Sequence, residues 1–257
     1  MKLGAIALNT VREYLRDKIL YTILAFALLL IAASLAIGQL SIAERSRITI
    51  DLSLSCISII GVLMAIFLGI SLVSREIEKK TIYTLIAKPI PRSWFLLGRY
   101  LGLMLTIALN VSVMSLAFAL TLNSIAGWEV RTFDWPIIQA IILIYLELGI
   151  VTAVAMVFSA FSSPILSAIF TIGFFFAGRF TAGVSELIAK DNPVLHKAAR
   201  VMEVIVPNLT NYIPIESALT GTGLPPGLFF RTILVGVITI VFLLTLATLI
   251  FQRRDFV

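Results

Sequence analysis

The sequence has few of the residues that bind metals or form cross-links. Its 257 residues include one cysteine, Cys56, and one histidine, His196. A single cysteine excludes an intrachain disulfide and a cysteine metal cluster, and a single histidine excludes a histidine-rich metal site. Because Cys56 lies inside an apolar run, we interpret it as a small packing residue.

Charged residues are also scarce. They make up 13% of the chain, whereas hydrophobic residues make up 60% and the mean hydropathy is +1.05. Soluble proteins contain about 25% charged residues, so this composition excludes a soluble enzyme with a charged surface and a disordered chain. In a membrane protein, the net charge of +6 indicates basic loops on one side. We therefore predict contact with membrane lipid and no nucleic-acid partner.

Long apolar runs, in contrast, are abundant. A helix needs about 20 apolar residues to cross a bilayer. Six runs have this length: residues 19–38, 52–73, 100–122, 136–158, 165–184 and 228–251. Within them only Glu147, Arg179 and Arg231 are charged. The sequence predicts an all-α integral membrane protein with six transmembrane helices, forming a single domain over residues 1–257.

The distribution of basic residues predicts the orientation. Six spans place both termini on the same side of the membrane. Roughly twice as many Lys and Arg residues flank the span ends on that side as on the other. We therefore expect a multi-pass protein of the cell inner (plasma) membrane with both termini in the cytoplasm.

Two segments outside the spans have helical patterns. In residues 1–18, Leu8, Val11 and Leu15 recur every three or four positions, which predicts an amphipathic interfacial helix. The alternative is one long helix continuous with the first span. The loop at 185–227 is too long for a simple connector, and we expect a short helix in it between Asn192 and Pro207.

The loop between the second and third spans has a second amphipathic pattern. Ile77, Thr81 and Leu85 stack at helical spacing. Charged residues cover the rest of this helix: Arg75, Glu76, Glu78, Lys79 and Lys80. Pro89 then ends it. We predict a short helix at 75–88 on the cytoplasmic face, the alternative being an ordinary solvated connector.

Four parts of this region form a motif: Ser74-Arg75-Glu76-Ile77-Glu78-Lys79-Lys80-Thr81, Leu85-Ile86-Ala87-Lys88-Pro89, Arg92 and Phe95-Leu96-Leu97-Gly98-Arg99-Tyr100-Leu101-Gly102. This motif resembles that of ABC-2 type transporter permeases, the membrane subunits of ABC exporters whose ATPase is a separate subunit. Arg99 stands where the family usually has Lys, and Lys80 where many members have Gly. The six spans, the N-terminal helix and the long last outer loop extend the resemblance over the whole chain.

The resemblance implies a permease that forms a homodimer and docks an ATP-binding subunit on a coupling helix at 75–88. The coupling residues are Arg75, Glu76, Ile77, Glu78, Lys79, Lys80, Thr81, Leu85 and Pro89. The chain contains no G-x-x-x-x-G-K-[ST] segment. We therefore expect no enzyme activity and no cofactor in this chain, with ATP and Mg held by the partner.

Two other functions compete with the exporter. One is a non-transporting membrane assembly or mechanical-signalling subunit that also uses an ATPase. The other is an ATP-independent channel or secondary transporter in which Glu147 couples ions. No aromatic cage, charge ring or soluble binding domain identifies a substrate. The small outer loops argue against a large outer domain, which leaves lipids, small hydrophobic drugs, peptides or a path used with extra partners.

The polar residues inside the spans form a candidate intramembrane site. Glu147 either lines a translocation path or makes a structural contact between helices, as a carboxylate or as a protonated, neutral carboxyl group. Asn110 lies at similar depth and is a candidate hydrogen-bond partner. We expect Arg179 to reach the membrane surface or to pair with Glu186 or Glu216, and Arg231 to anchor the last span at the interface.

Small residues in the fifth span suggest a helix–helix contact. The pairs Gly173/Ala177 and Gly178/Ala182 have the spacing that permits close helix approach. The contact lies either within the subunit or at a dimer interface.

Overall fold

The structure of the protein is a computed structural model that describes residues 2–38, 45–78, 92–126, 134–188 and 207–253. Its α-helices are α1 Lys2–Tyr14, α2 Lys18–Gly38, α3 Arg45–Glu78, α4 Arg92–Ala126, α5 Trp135–Phe161, α6 Pro164–Ile188, α7 Ile215–Thr220 and α8 Pro226–Arg253. A 3-10 turn spans Leu209–Tyr212. The described residues contain no β-strand.

The predicted all-α membrane protein is confirmed. Among the described residues, five helical segments are long and apolar enough to cross a membrane, namely Lys18–Gly38, Arg45–Ser71, Ser93–Ile125, Trp135–Phe161 and Pro226–Gln252. The predicted span at 165–184 lies on α6, where the apolar helix of described side chains runs from Pro164 to Phe180 and is shorter. The membrane span predicted at residues 165–184, which would bring the total to six, therefore stays a prediction.

The helices extend beyond the apolar runs from which they were predicted. α3 begins at Arg45 rather than near residue 52, and α4 begins at Arg92 rather than near residue 100. Apolar runs mark the part of a helix that contacts lipid or the protein interior, whereas the backbone hydrogen bonds of the helix continue into polar surroundings.

α1 is a separate helix, so the alternative of one long helix through the first span is wrong. The chain leaves helical geometry between Tyr14 and Lys18. The Asp17 carboxylate accepts a hydrogen bond from the Ile19 backbone N–H at 3.0 Å, as the side chain of an N-cap residue does. The Tyr21 hydroxyl donates to the Leu15 carbonyl at 2.7 Å, which closes the turn from the other side.

The centre of the bundle is α5. Its apolar residues surround the whole helix, and most of them are buried, as expected for a helix with neighbours on most sides. α3 and α8 make its most extensive contacts. α2 and α8 are peripheral, and large apolar side chains such as Phe26, Leu29, Leu234 and Phe242 are exposed on them.

The helices run alternately up and down, which gives the bundle two ends. The terminal end holds α1, the end of α3, the start of α4 and the end of α8. The distal end holds the start of α3, the start of α5, the start of α8 and residues 207–225.

The segment 207–225 folds over the distal end. Two side chains of this segment, those of Leu209 and Tyr212, are buried. The Gln139 side chain of α5 accepts a hydrogen bond from the Leu224 backbone N–H at 3.0 Å and donates to the Leu224 carbonyl at 3.4 Å. Gly223 precedes this contact with φ of 66°, a conformation that favours glycine. The predicted helix between Asn192 and Pro207 lies outside the described residues.

Candidate functional site

The first candidate site is a buried ion pair halfway along the bundle. Glu147, near the middle of α5, is completely buried. The Ser58 hydroxyl of α3 donates a hydrogen bond to Glu147 Oε2 at 3.1 Å. A buried carboxylate needs such partners, because an ion that loses its water is costly unless it is paired and hydrogen-bonded.

The counter-ion comes from α6. Arg179 Nε lies 3.5 Å from Glu147 Oε1, and Arg179 Nη2 donates to Ser58 Oγ at 3.1 Å. The guanidinium also lies over the Phe175 ring, 5.5 Å from its centroid. The Arg179 side chain is 25% exposed, whereas that of Glu147 is 0% exposed. Arg179 therefore reaches the buried Glu147 carboxylate from the surface of the bundle.

This arrangement differs from the contacts expected for the polar residues. Arg179 pairs with Glu147 and not with Glu216. The Glu186 side chain lies outside the described part, so the expected pairing with Glu186 stays a prediction. Asn110 does not bond to Glu147 either. Its Nδ2 donates to the Thr106 carbonyl of its own helix at 2.8 Å, and its Oδ1 has no partner among the described residues.

The cluster of Ser58, Glu147 and Arg179 joins three helices through polar contacts. Thr210 extends the connection, since its hydroxyl donates to the Arg179 carbonyl at 3.0 Å and attaches the distal segment to α6. Among the described residues, no group of three or more His, Cys, Asp or Glu side chains could hold a metal ion. What this cluster can do is hold three helices together through an ion pair, with one charge of each sign in an interior of low dielectric constant.

The second candidate site is the predicted coupling helix. Arg75, Glu76, Ile77 and Glu78 form the last turn of α3, which runs without interruption from the distal end. Their side chains, together with residues Lys79, Lys80, Thr81, Leu85 and Pro89, lie outside the described part of the structure. The start of this motif is therefore continuous in backbone with the second span.

α1 packs closely against α4 through two glycines. A Cβ atom at Gly98 would lie 2.9 Å from Ile6 Cγ2, and one at Gly102 would lie 2.6 Å from Thr10 Cβ and 2.7 Å from the Ala7 carbonyl oxygen. Such distances leave no room for a side chain. The Gly-x-x-x-Gly spacing thus holds the N-terminal helix against the start of the third span.

Polar contacts reinforce this packing. Arg99 Nη1 on α4 lies 3.0 Å from Glu13 Oε2 on α1. Tyr14, almost fully buried, donates from its hydroxyl to the Leu68 carbonyl of α3 at 3.2 Å and lies 3.1 Å from Ser71 Oγ. α1 is therefore bound to both helices that flank the 79–91 segment. The sequence interpretation missed these contacts, although the spacing of Gly98 and Gly102 was a signal for them.

The small-residue pairs of α6 have different surroundings. A Cβ at Gly173 would meet no atom within 4 Å, whereas one at Gly178 would lie 2.8 Å from Leu209 of the distal segment. Gly178 thus makes an intrachain contact. In the interior, Gly69 of α3 packs against Ala155 of α5, where an added Cβ atom would lie 2.8 Å from the Ala155 Cβ.

Comparison with protein families decides the identity of this bundle. The model of the ABC-2 family transporter proteins matches residues 5–256. The chain belongs to this family. The resemblance in the 74–102 segment is thereby confirmed, and no curated protein matches the sequence.

Membership makes the chain a membrane permease component of an ABC transporter, not itself catalytic, and implies an ATP-binding subunit as partner. Within the permease, the buried ion pair and the contacts of α1 lie at different heights along the bundle. The Glu147–Arg179 pair lies in the middle of the bundle, and the contacts of α1 lie at the terminal end beside the motif that carries the family resemblance.

Proposed function

We propose that this permease exports its substrate across the inner (plasma) membrane with the energy of ATP hydrolysis in a separate subunit docked on residues 75–88. The terminal end faces the cytoplasm, α6 crosses the membrane as the fifth of six spans, and α1 lies in the cytoplasmic interface. ATP and Mg bind to the partner subunit, and the permease itself holds no cofactor.

The observation that carries this proposal is the attachment of α1 to both helices next to the docking segment. Tyr14 connects α1 to α3 at Leu68, and Glu13 connects it to α4 at Arg99. α3 continues through Arg75–Glu78 without a break. A displacement of the docked subunit would therefore move α1, α3 and α4 together, as rigid elements move in domain-scale transitions.

The charge distribution supports the orientation. The terminal end carries the denser set of Lys and Arg residues, and Arg12, Arg16 and Lys18 are exposed there. Trp94, near the start of α4, is half exposed, as is typical of an aromatic side chain at the membrane interface.

A charge reversal tests the docking proposal. We expect the double variant Glu76→Lys with Lys80→Glu to lower copurification of the ATP-binding subunit, and ATP-dependent transport, by about tenfold, because two reversed charges in one interface oppose complementary ones. The measurement is copurification of the partner, followed by ATP hydrolysis and solute uptake in sealed inverted vesicles.

The control for this experiment is Lys18→Glu, which changes an exposed charge at the same end of the bundle but outside the 75–88 segment. It should leave copurification unchanged. Undiminished partner binding in the double variant would contradict docking on 75–88. ATP hydrolysis without movement of solute would instead support the assembly or signalling function.

We also propose that α6 forms part of a homodimer interface. Around Gly173, its outer face exposes the large apolar side chains of Ile169, Phe176 and Phe180. Gly173 itself has open space within 4 Å. A small residue between large ones lets a second helix approach closely.

Enlarging Gly173 tests the interface. We expect Gly173→Leu to weaken the dimer by roughly tenfold to a hundredfold, since overpacking costs about 1–3 kcal/mol, while the monomer stays folded. Single-molecule photobleaching in nanodiscs measures the dimer fraction. Gly4→Leu, at a position on α1 with nothing within 4 Å, is the control. An unchanged dimer fraction would mean that this face of α6 contacts lipid.

A further inference from the structure

The distal end has a cleft that lies outside both candidate sites. It lies between the start of α8 and residues 207–217, and its volume is about 700 Å³. Clefts that bind small molecules have volumes of about 300–1,000 Å³ and combine an apolar wall with a few polar groups. This cleft has both.

The polar groups of the cleft include one charge of each sign. Arg231 of α8 and Glu216 of α7 both line it. Both residues are exposed. No ion pair or side-chain hydrogen bond joins either of them to another described residue. Burial raises the pKa of Tyr212 to about 12, so its hydroxyl stays neutral beside them at physiological pH.

The apolar wall continues out of the cleft along α8. Leu228 and Val235 line the cleft with Arg231. Ile238 and Phe242 follow at helical spacing on the same face of α8, and both are more than half exposed, at 59% and 64%. A polar opening with two unpaired charges thus leads directly onto an exposed apolar track within a membrane-spanning helix.

We infer that this cleft binds the headgroup of a zwitterionic phospholipid, with its phosphate on Arg231, its ammonium on Glu216 and an acyl chain along Val235, Ile238 and Phe242. Arginine is a strong phosphate ligand because its guanidinium donates several hydrogen bonds. An anionic lipid satisfies Arg231 but places no cation on Glu216. The site therefore favours a headgroup with both charges. This inference does not depend on transport or on the ATP-binding subunit.

Native mass spectrometry of the full-length purified permease tests the site. The probes are dioleoylphosphatidylethanolamine, dioleoylphosphatidylglycerol, dioleoylglycerol and water-soluble glycerophosphoethanolamine. We expect the phosphatidylethanolamine to bind most tightly. Arg231→Gln should weaken both phospholipids by about tenfold, since a charge-assisted contact to phosphate is lost. Glu216→Gln should weaken only the phosphatidylethanolamine.

Two further variants complete the test. Arg47→Gln removes an exposed positive charge at the distal end outside the cleft and should leave lipid binding unchanged. Arg231→Lys keeps the charge and should retain most of the binding, which separates loss of charge from loss of fold. Thermal unfolding of each variant verifies that it is folded.

Three results would overturn the inference. Equal binding of phosphatidylethanolamine to the wild type and to both glutamine variants would remove the role of the two charges. Glycerophosphoethanolamine that binds as tightly as the lipid would indicate a site for soluble phosphate compounds. Dioleoylglycerol that binds equally well would indicate lipid contact with α8 without headgroup recognition.

Discussion

Replacing Arg179 with leucine is expected to lower the free energy of unfolding by about 3 kcal/mol, the lower part of the range for removing one partner of a buried ion pair. The physical reason is the complete burial of Glu147, whose carboxylate then keeps, among the residues that the structure describes, only the Ser58 hydroxyl as partner. The lower part of that energy range applies because the Arg179 side chain is 25% exposed and its Nε lies 3.5 Å from Glu147 Oε1.

The double variant Arg179→Leu with Glu147→Gln should recover most of this loss. A glutamine retains a hydrogen-bond acceptor for Ser58 but carries no charge, so the uncompensated ion disappears. Unfolding by steric trapping in bicelles measures both variants, and the two single variants with the double variant form a cycle that isolates the pair energy. Removal of only one charge is thus expected to cost more than removal of both.

Arg12→Leu is the control, since Arg12 is an exposed arginine of α1 that has no ion-pair partner among the described residues. Its effect should stay within about 0.5 kcal/mol, as for a surface substitution. If Arg179→Leu were equally mild, Glu147 would not depend on Arg179 for its stability. If Glu147→Gln abolished ion coupling in a transport assay with a stable fold, the secondary-transporter alternative would gain support.

Gly102→Leu is expected to have the second largest effect, because it separates α1 from α4. A Cβ at this position would lie 2.6 Å from Thr10 Cβ and 2.7 Å from the Ala7 carbonyl oxygen. Neither atom belongs to a flexible side-chain end that moves easily. Overpacking of this kind costs about 1–3 kcal/mol. We expect displacement of α1 to relieve the steric clash with the smallest loss of stability.

Hydrogen exchange measures the displacement directly. Backbone amides of α1 should exchange at least tenfold faster in Gly102→Leu, whereas those of α5 should keep their protection. ATP-dependent transport should fall as well if α1 moves with α3 and α4. Gly4→Leu, also on α1 but with no neighbour within 4 Å, should change neither property. Unaltered protection of α1 in Gly102→Leu would contradict its close packing on α4.

Sequence patterns predict features that depend on one helix at a time. The apolar run at 136–158 placed α5, observed at Trp135–Phe161, to within a few residues. The scarcity of charge in the runs predicted the membrane, since a charge in mid-span is costly. The starts of α3 and α4 were predicted less well, because Asp51 and Arg99 interrupt the apolar pattern although both helices begin several residues earlier.

The partners of polar residues could not be predicted in the same way. Glu147 was recognisable as an unusual charge, but its contacts come from Ser58, 89 positions earlier in the chain, and from Arg179 on the next helix. Ser58 is one of several small polar residues in an apolar run, and nothing in its spacing singles it out. Asn110 had the correct depth but bonds to its own helix at Thr106.

By itself, the sequence determined the class of the protein, the positions of its long helices and its membership of the ABC-2 transporter family. These properties follow from apolar periodicity and from a contiguous motif, both of which are local. Only the tertiary structure decided that Arg179 neutralises Glu147, that Gly98 and Gly102 receive α1, and that Arg231 and Glu216 share a cleft. The physical reason is that each of these contacts joins helices distant in the chain, and which residues meet depends on how the helices rotate and pack.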